Sequence, residues 1–144
     1  MFSPGHAGAN AYARVGVETG VMGASPHRLI AMLFQGARKA IAQARLNLQL
    51  GEVGRRGEAI GKAIQIIEQG LQLSLNRTAG GEIADRLHAL YGYMSRRLLE
   101  ANVKSNEAML IEVDGLLAQL EAAWTGIGPE AARIAGQVSA ETTR

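Results

Sequence analysis

The stretch Ser25-Pro26-His27-Arg28-Leu29-Ile30-Ala31-Met32-Leu33-Phe34-Gln35-Gly36-Ala37-Arg38-Lys39-Ala40-Ile41-Ala42-Gln43-Ala44-Arg45-Leu46-Asn47-Leu48 decides the fold. Ser25 can accept a hydrogen bond from an orphan N–H at a helix start. Pro26 then fills the first helical position, where its missing donor costs nothing. From there Leu29, Leu33, Ala37, Ala40, Ile41, Ala44 and Leu48 recur at steps that keep them on one buried face, and Gly51 is a natural stop.

Working outward, the same period returns three more times. Arg55 to Leu75 carries the stripe Ile60, Ile64, Ile67, Leu71 and Leu75, and Asn76 to Gly81 follows as a turn. A third helix begins near Glu82 and Asp85, whose carboxylates suit the positive end of a helix dipole. It runs to about Lys104 with Ile83, Leu87, Leu90, Met94, Leu98 and Ala101 facing inward. Ser105 or Asn106 caps a fourth, in which Leu110, Val113, Leu117, Leu120 and Trp124 alternate steps of three and four, the seam of a left-handed bundle. Connections this short fold each helix back on the last. The expected fold is all-α, an antiparallel up-down-up-down four-helix bundle over residues 25–125, flanked by a glycine-rich segment 1–24 and a tail 126–144, both expected to be mobile.

Composition narrows the function. Hydrophobic residues make up 47% of the 144-residue chain against 19% charged, enough for one core without metal or disulfide staples. With Cys 0 there is no thiolate ligand or cysteine nucleophile, which suits a reducing cytoplasm. The first residues have neither the basic nor the apolar region of a secretory signal, and no stretch is apolar enough to insert stably in a membrane. A net charge of only +2, with Arg55-Arg56 and Arg96-Arg97 lacking interleaved aromatics, argues against nucleic acid.

Motifs for chemistry are missing. No Glu is followed three residues later by His, so the di-iron pattern of some bundles is absent. His27 and His88 have no accompanying ligand set and read as surface helix residues, and His6 lies in the N-terminal segment. Gly80-Gly81 precedes a helix without the Lys-Ser/Thr pair of a phosphate loop. Glu112 and Asp114, two apart on a helix, diverge and read as a solvated face. The expectation is a nonenzymatic protein without metal or other cofactor.

A second apolar set stands beside the core stripes: Ile30 and Phe34, Ile66 and Leu73, Tyr91 and Tyr93. It has two readings, an exposed patch for a partner or simply a broad core stripe. Gly36, Gly61, Gly70, Gly92 and Gly115 fall inside helices, where glycine costs about 0.5–1 kcal/mol relative to Ala, and permit close approach of a neighbouring helix or a bound peptide.

Taken in order, Ala11-Tyr12, Val17-Glu18-Thr19, Ala24-Ser25-Pro26, Leu29-Ile30-x-Met32-Leu33-Phe34-x-Gly36-Ala37, Lys62-Ala63, Ile66-Ile67, Gly80-Gly81-Glu82-Ile83-Ala84, Leu90-Tyr91-x-Tyr93-Met94, Arg97-Leu98, Ala101-Asn102, Glu112-Val113 and Trp124 resemble the flagellin-specific export chaperones, the FliS family, across about residues 11–127. The resemblance implies a cytoplasmic bundle that wraps the disordered C-terminal segment of flagellin around its outside and blocks premature filament assembly. It also implies delivery of that cargo to the export-gate protein of the flagellar secretion apparatus. Ile30, Phe34, Ile66, Leu73, Tyr91 and Tyr93 become candidate flagellin-binding residues, and Tyr12 a candidate N-terminal cap over the groove. Phe34-Gln35, Asn76 and Tyr91-Gly92-Tyr93 depart from the family's usual Tyr-Asp, Asp and Tyr-Asp-Tyr, which leaves the apolar positions in place. The alternative is a helical regulatory adaptor that binds another folded protein, a flagellar regulator of the same pathway.

Overall fold

In the computed structural model, which describes residues 24–128, the Ser25 side chain accepts the Arg28 N–H at 3.0 Å and Pro26 stands in the first turn. Helix α1 is Pro26–Gln49, and Gly51, at φ 73°, takes the left-handed backbone that turns the chain. Helix α2, Val53–Gln65, passes directly into a π-helical segment, Ile66–Gln72. Helix α3 is Arg77–Lys104 and α4 is Glu107–Gly126. Asn76 and Asn106 cap these two by accepting from the N–H groups of Ala79 and Met109. The described residues hold four helices and no strand.

Cross-helix contacts fix the directions. His27, at the start of α1, meets Trp124 near the end of α4, while Arg45 near the end of α1 meets Glu107 at the start of α4. Arg56 with Asn102 and Gln72 with His88 set α2 against α3 in the same opposed sense. Each helix packs on its chain neighbours, and α4 closes the ring on α1. Leu29, Leu33, Ala37 and Ile41 meet Ile60, Ala63, Ile67, Leu71, Met94, Leu98, Leu110, Val113, Leu117 and Trp124 in a single core. Ala40, Leu48, Ile64, Leu75, Leu87, Leu90 and Leu120 pack against it half-buried.

Two departures from the expected helices have local causes. Ile83, expected in the core, is 52% exposed. Gly81 (φ 56°, ψ −131°) separates an Asn76-capped first turn from the rest of α3, so Ile83 falls in the opening turn of the main helix, at the edge of the bundle. The second departure is in α2, where a continuous α-helix was expected to Leu75. The Leu73 N–H instead reaches five residues back to the Glu68 carbonyl at 3.2 Å, the π-helical pattern. Gly70 lies within this segment against α1, where a Cβ would stand 2.9 Å from Leu33 Cδ2. A neighbouring helix is therefore the reason for this glycine.

Candidate partner-binding surface

The second apolar set divides in the structure. Ile30, Phe34, Ile66 and Tyr91 are buried in the core, so for them the broad stripe is what the fold contains and the exposed patch is not. Burial alone pushes the Tyr91 phenol well above its usual pKa. Leu73 is 63% exposed, just past the π-helical segment. Tyr93 is half-buried on α3, turned toward α4 rather than toward Leu73. The six candidates thus form no continuous free surface. Tyr12 lies outside the described residues.

Tyr93 belongs to a polar cluster. Its hydroxyl donates to one oxygen of Glu112, and Arg97 donates to the other from Nε at 2.9 Å and Nη2 at 2.8 Å. The guanidinium also lies 5.9 Å from the Tyr93 ring centroid. The Tyr93 hydrogen bond, and then Arg97, hold the Glu112 carboxyl below the ordinary range. The same hydrogen bond raises the Tyr93 phenol.

A second polar seam joins α4 to α1. Arg38 donates to Asp114 at 2.9 Å and to Glu121 at 3.0 Å, and these two carboxylates raise its pKa, Asp114 foremost. Gln49 and Arg45 both donate to Glu107, at 2.8 Å and 3.1 Å, and hold its carboxyl below the ordinary range. Glu112 and Asp114 diverge as their spacing requires, but each faces a neighbouring helix rather than forming a solvated face. Sequence reasoning assigned no helix-to-helix role to Arg38, Arg45 or Arg97. The signal was present: Arg38 and Arg45 are seven apart, as are Glu107, Asp114 and Glu121, the interval that returns a residue to one flank of a bundle helix.

Arg56, read from the sequence only as half of a basic pair, is 8% exposed with no carboxylate among its hydrogen-bond partners. It donates to Asn102 Oδ1, the Asn102 carbonyl and Ser105 Oγ at 2.9, 3.0 and 3.1 Å, so its charge sits at the negative end of α3. It also braces Ser105, the one non-glycine residue at positive φ (51°) among those described. His27, expected at the surface, is half-buried and stacked on Trp124. Among the described residues no cluster of three or more His, Cys, Asp or Glu is arranged to hold a metal, and no helix is long and apolar enough to cross a membrane.

Exposed apolar side chains collect at one end. Leu46, Leu50 and Val53 surround the α1–α2 corner, Leu99 and Val103 end α3, and Ile111 begins α4; Leu73 and Ile83 stand at the other end. An apolar surface so distributed is suited to a protein partner.

Comparison with known proteins agrees with this character. The family model described as flagellar protein FliS matches residues 8–131. The flagellar secretion chaperone FliS of Salmonella typhimurium (strain LT2) is 52% identical over 124 residues, which cover 86% of this chain and 92% of that protein. Its namesake in Escherichia coli (strain K12) is 42% identical over 81% of this chain and 86% of its own length. The flagellar secretion chaperone FliSB of Pseudomonas aeruginosa (strain PAO1) is 43% identical over 81% of this chain and 91% of its own.

Proposed function

The chain belongs to the FliS family of flagellar secretion chaperones, and on that premise we propose that it binds the disordered C-terminal segment of flagellin in the cytoplasm, prevents its premature polymerisation and delivers it to the export gate. As a member of a chaperone family it is not an enzyme. The observation that carries the reading is the 52% identity to a flagellar secretion chaperone across 92% of that protein's length.

The chemistry suits the task. A disordered segment that folds on binding covers a large surface, yet its ordering entropy holds the affinity to a level from which release is practicable. Helical stretches of such a segment would place apolar anchors in grooves of the bundle. Leu73, exposed at one end, remains a candidate contact, and Tyr12 is proposed as a cap that occupies part of the groove when cargo is absent.

Calorimetric titration of the full chain with a peptide from the C-terminal end of its cognate flagellin tests the proposal. Saturable binding with a negative heat-capacity change is expected. No binding at micromolar concentrations by demonstrably folded protein would sink it.

A further inference from the structure

We propose that residues 130–141 form an amphipathic helix that folds back along α4 and fills the furrow between α3 and α4 at the end of the bundle where His27 meets Trp124. That furrow is apolar and open. Its α3 wall holds Ile83, 52% exposed, and Leu90, half-buried, seven residues apart. Its α4 wall holds half-buried Leu116 and exposed Ala123, likewise seven apart. The contacts of Tyr93 and Arg97 with Glu112 set the register of these antiparallel helices, and counting from them brings Leu90 level with Leu116 and Ile83 level with Ala123. The same polar contacts close the furrow towards the middle of the bundle. Its apolar stretch is therefore about two turns long, ~10 Å.

The occupant is the chain's own continuation. Helix α4 stops at Gly126, Ile127 takes extended backbone (φ −108°, ψ 156°) while packing on the core, and the sequence runs on as Gly128-Pro129-Glu130. A proline followed by an acid suits the first turn of a helix. Only Ile127 and Gly128 separate Gly126 from Pro129, a usual length for the connection of two antiparallel helices. Further on, Ala131, Ile134, Ala135 and Val138 recur at the spacing of one helix face, with Glu130, Arg133, Gln137 and Glu141 on the other. Ala131 and Val138 are again seven residues apart. An apolar stripe of ~10 Å thus follows directly on the helix that borders an apolar furrow of the same length.

Laid antiparallel to α4, the segment brings Ile134 near Ile83 and Ala123, and Val138 near Leu90 and Leu116. Arg86, the exposed cation on this flank of α3, is already paired with Glu82 at 2.6 Å, so the furrow selects apolar anchors rather than charge. Residues 1–23 adjoin the same end of the bundle. The C-terminal residues fit better, because they follow α4 without a detour and their stripe matches the furrow in length. Ile83, the large apolar side chain that the four helices leave bare beside this seam, would then be covered. Residues 132–144 lie beyond the stretch that matches the family, so the packing is a property of this chain and not of the family's common task.

Because the chain has Cys 0, a single introduced thiol reports one position. The test compares full-length Ala123→Cys with the same variant carrying Ile134→Ser and Val138→Ser, by the rate of alkylation with iodoacetamide, with circular dichroism of each to establish that the bundle is folded. The serines are neutral and leave the charge around the thiol unchanged. They are expected to quicken alkylation at least about tenfold. Equal rates overturn the proposal: equally fast ones mean an open furrow, and equally slow ones give it to residues 1–23. Protection that disappears on hundredfold dilution would assign the furrow to a second copy and overturn it likewise. Hydrogen exchange of the wild type is a second readout that needs no variant. Amides of residues 131–138 are expected to exchange at least about tenfold more slowly than in an unstructured chain, and exchange at the unstructured rate would sink the helix.

Discussion

Trp124 and His27 each donate a ring N–H to the other's main-chain carbonyl, both at 2.8 Å, with their rings stacked 15° from parallel at 4.8 Å between centroids. The clasp joins the first turn of α1 to the last turn of α4 and closes the bundle where the described chain enters and leaves. Trp124→Phe retains an aromatic face but removes the N–H donated to the His27 carbonyl, with an expected loss of ~1 kcal/mol. Trp124→Ala also removes a buried ring and is expected to cost about 3–5 kcal/mol. Urea denaturation followed by circular dichroism measures both, and a Trp124→Phe variant as stable as wild type would show that the reciprocal bond is immaterial.

The two glycines of opposite surroundings give opposite expectations. Ala at Gly70 would bring a Cβ to 2.9 Å from Leu33 Cδ2 in a fully buried site, so overpacking of about 1–3 kcal/mol outweighs the helix propensity gained. Ala at Gly115, where a Cβ meets nothing within 4 Å, should stabilise by about 0.5–1 kcal/mol. Thermal melts of the two variants should shift in opposite directions.

Arg56 cannot be exchanged for another cation. Its planar fork serves three acceptors on the α3–α4 corner at once, a geometry that the ammonium of Lys does not reproduce. Arg56→Leu removes three charge-assisted hydrogen bonds to the α3–α4 corner and is expected to destabilise by about 2–4 kcal/mol, with Arg56→Lys between that and wild type. Hydrogen exchange at residues 101–106 should quicken in both variants if the brace on Ser105 matters.

Acid should weaken the fold through its glutamates. Glu112, Glu107 and Glu100 are all depressed, by Tyr93 and Arg97, by Gln49 and Arg45, and by Lys104 respectively. In the folded state they therefore bind protons less readily than in the unfolded chain. Their contribution is fully present above the unfolded glutamate pKa, about 4.3, and is lost as pH falls from there through the lower folded values. Urea midpoints measured from pH 7 down to pH 3 should fall below about pH 5, and Glu112→Gln should flatten that fall.

Deletion of residues 1–18 tests the role proposed for Tyr12. If the segment is only a removable cap, the shortened protein keeps its helical circular dichroism and binds the flagellin peptide at least as tightly as the full chain. A large loss of affinity would make the segment part of the cargo site.

The architecture was legible because its signals are local. Ser25-Pro26, Asn106 and the run from Leu110 to Trp124 state their roles through capping chemistry and a period that needs no knowledge of neighbours. Exposure was not legible, because the width of a buried stripe depends on what stands opposite. Tyr91 and Phe34 look like surplus apolar surface in the sequence and are enclosed by other helices in the fold. The π-helical segment escaped notice because Ile67 and Leu71 fit an ordinary period, while Ile66, beside Ile67, is buried as well. Leu99 and Val103 escaped because they lie off the core stripe of α3 that Leu98 and Ala101 continue, and stay exposed.

The two arginine seams also bear on chirality. Four antiparallel helices can be wound into a left-turning or a right-turning ring with the same chain neighbours, and a purely apolar core discriminates poorly between the two. Arg38 and Arg45 each follow a core alanine and so occupy one flank of α1, and the acids of α4 must come to that flank to meet them. Arg97, on one flank of α3, repeats the instruction from the other side. In the mirror arrangement Arg38 and Arg45 would face α2 while the acids of α4 faced α3, so these ion pairs favour the winding the chain adopts.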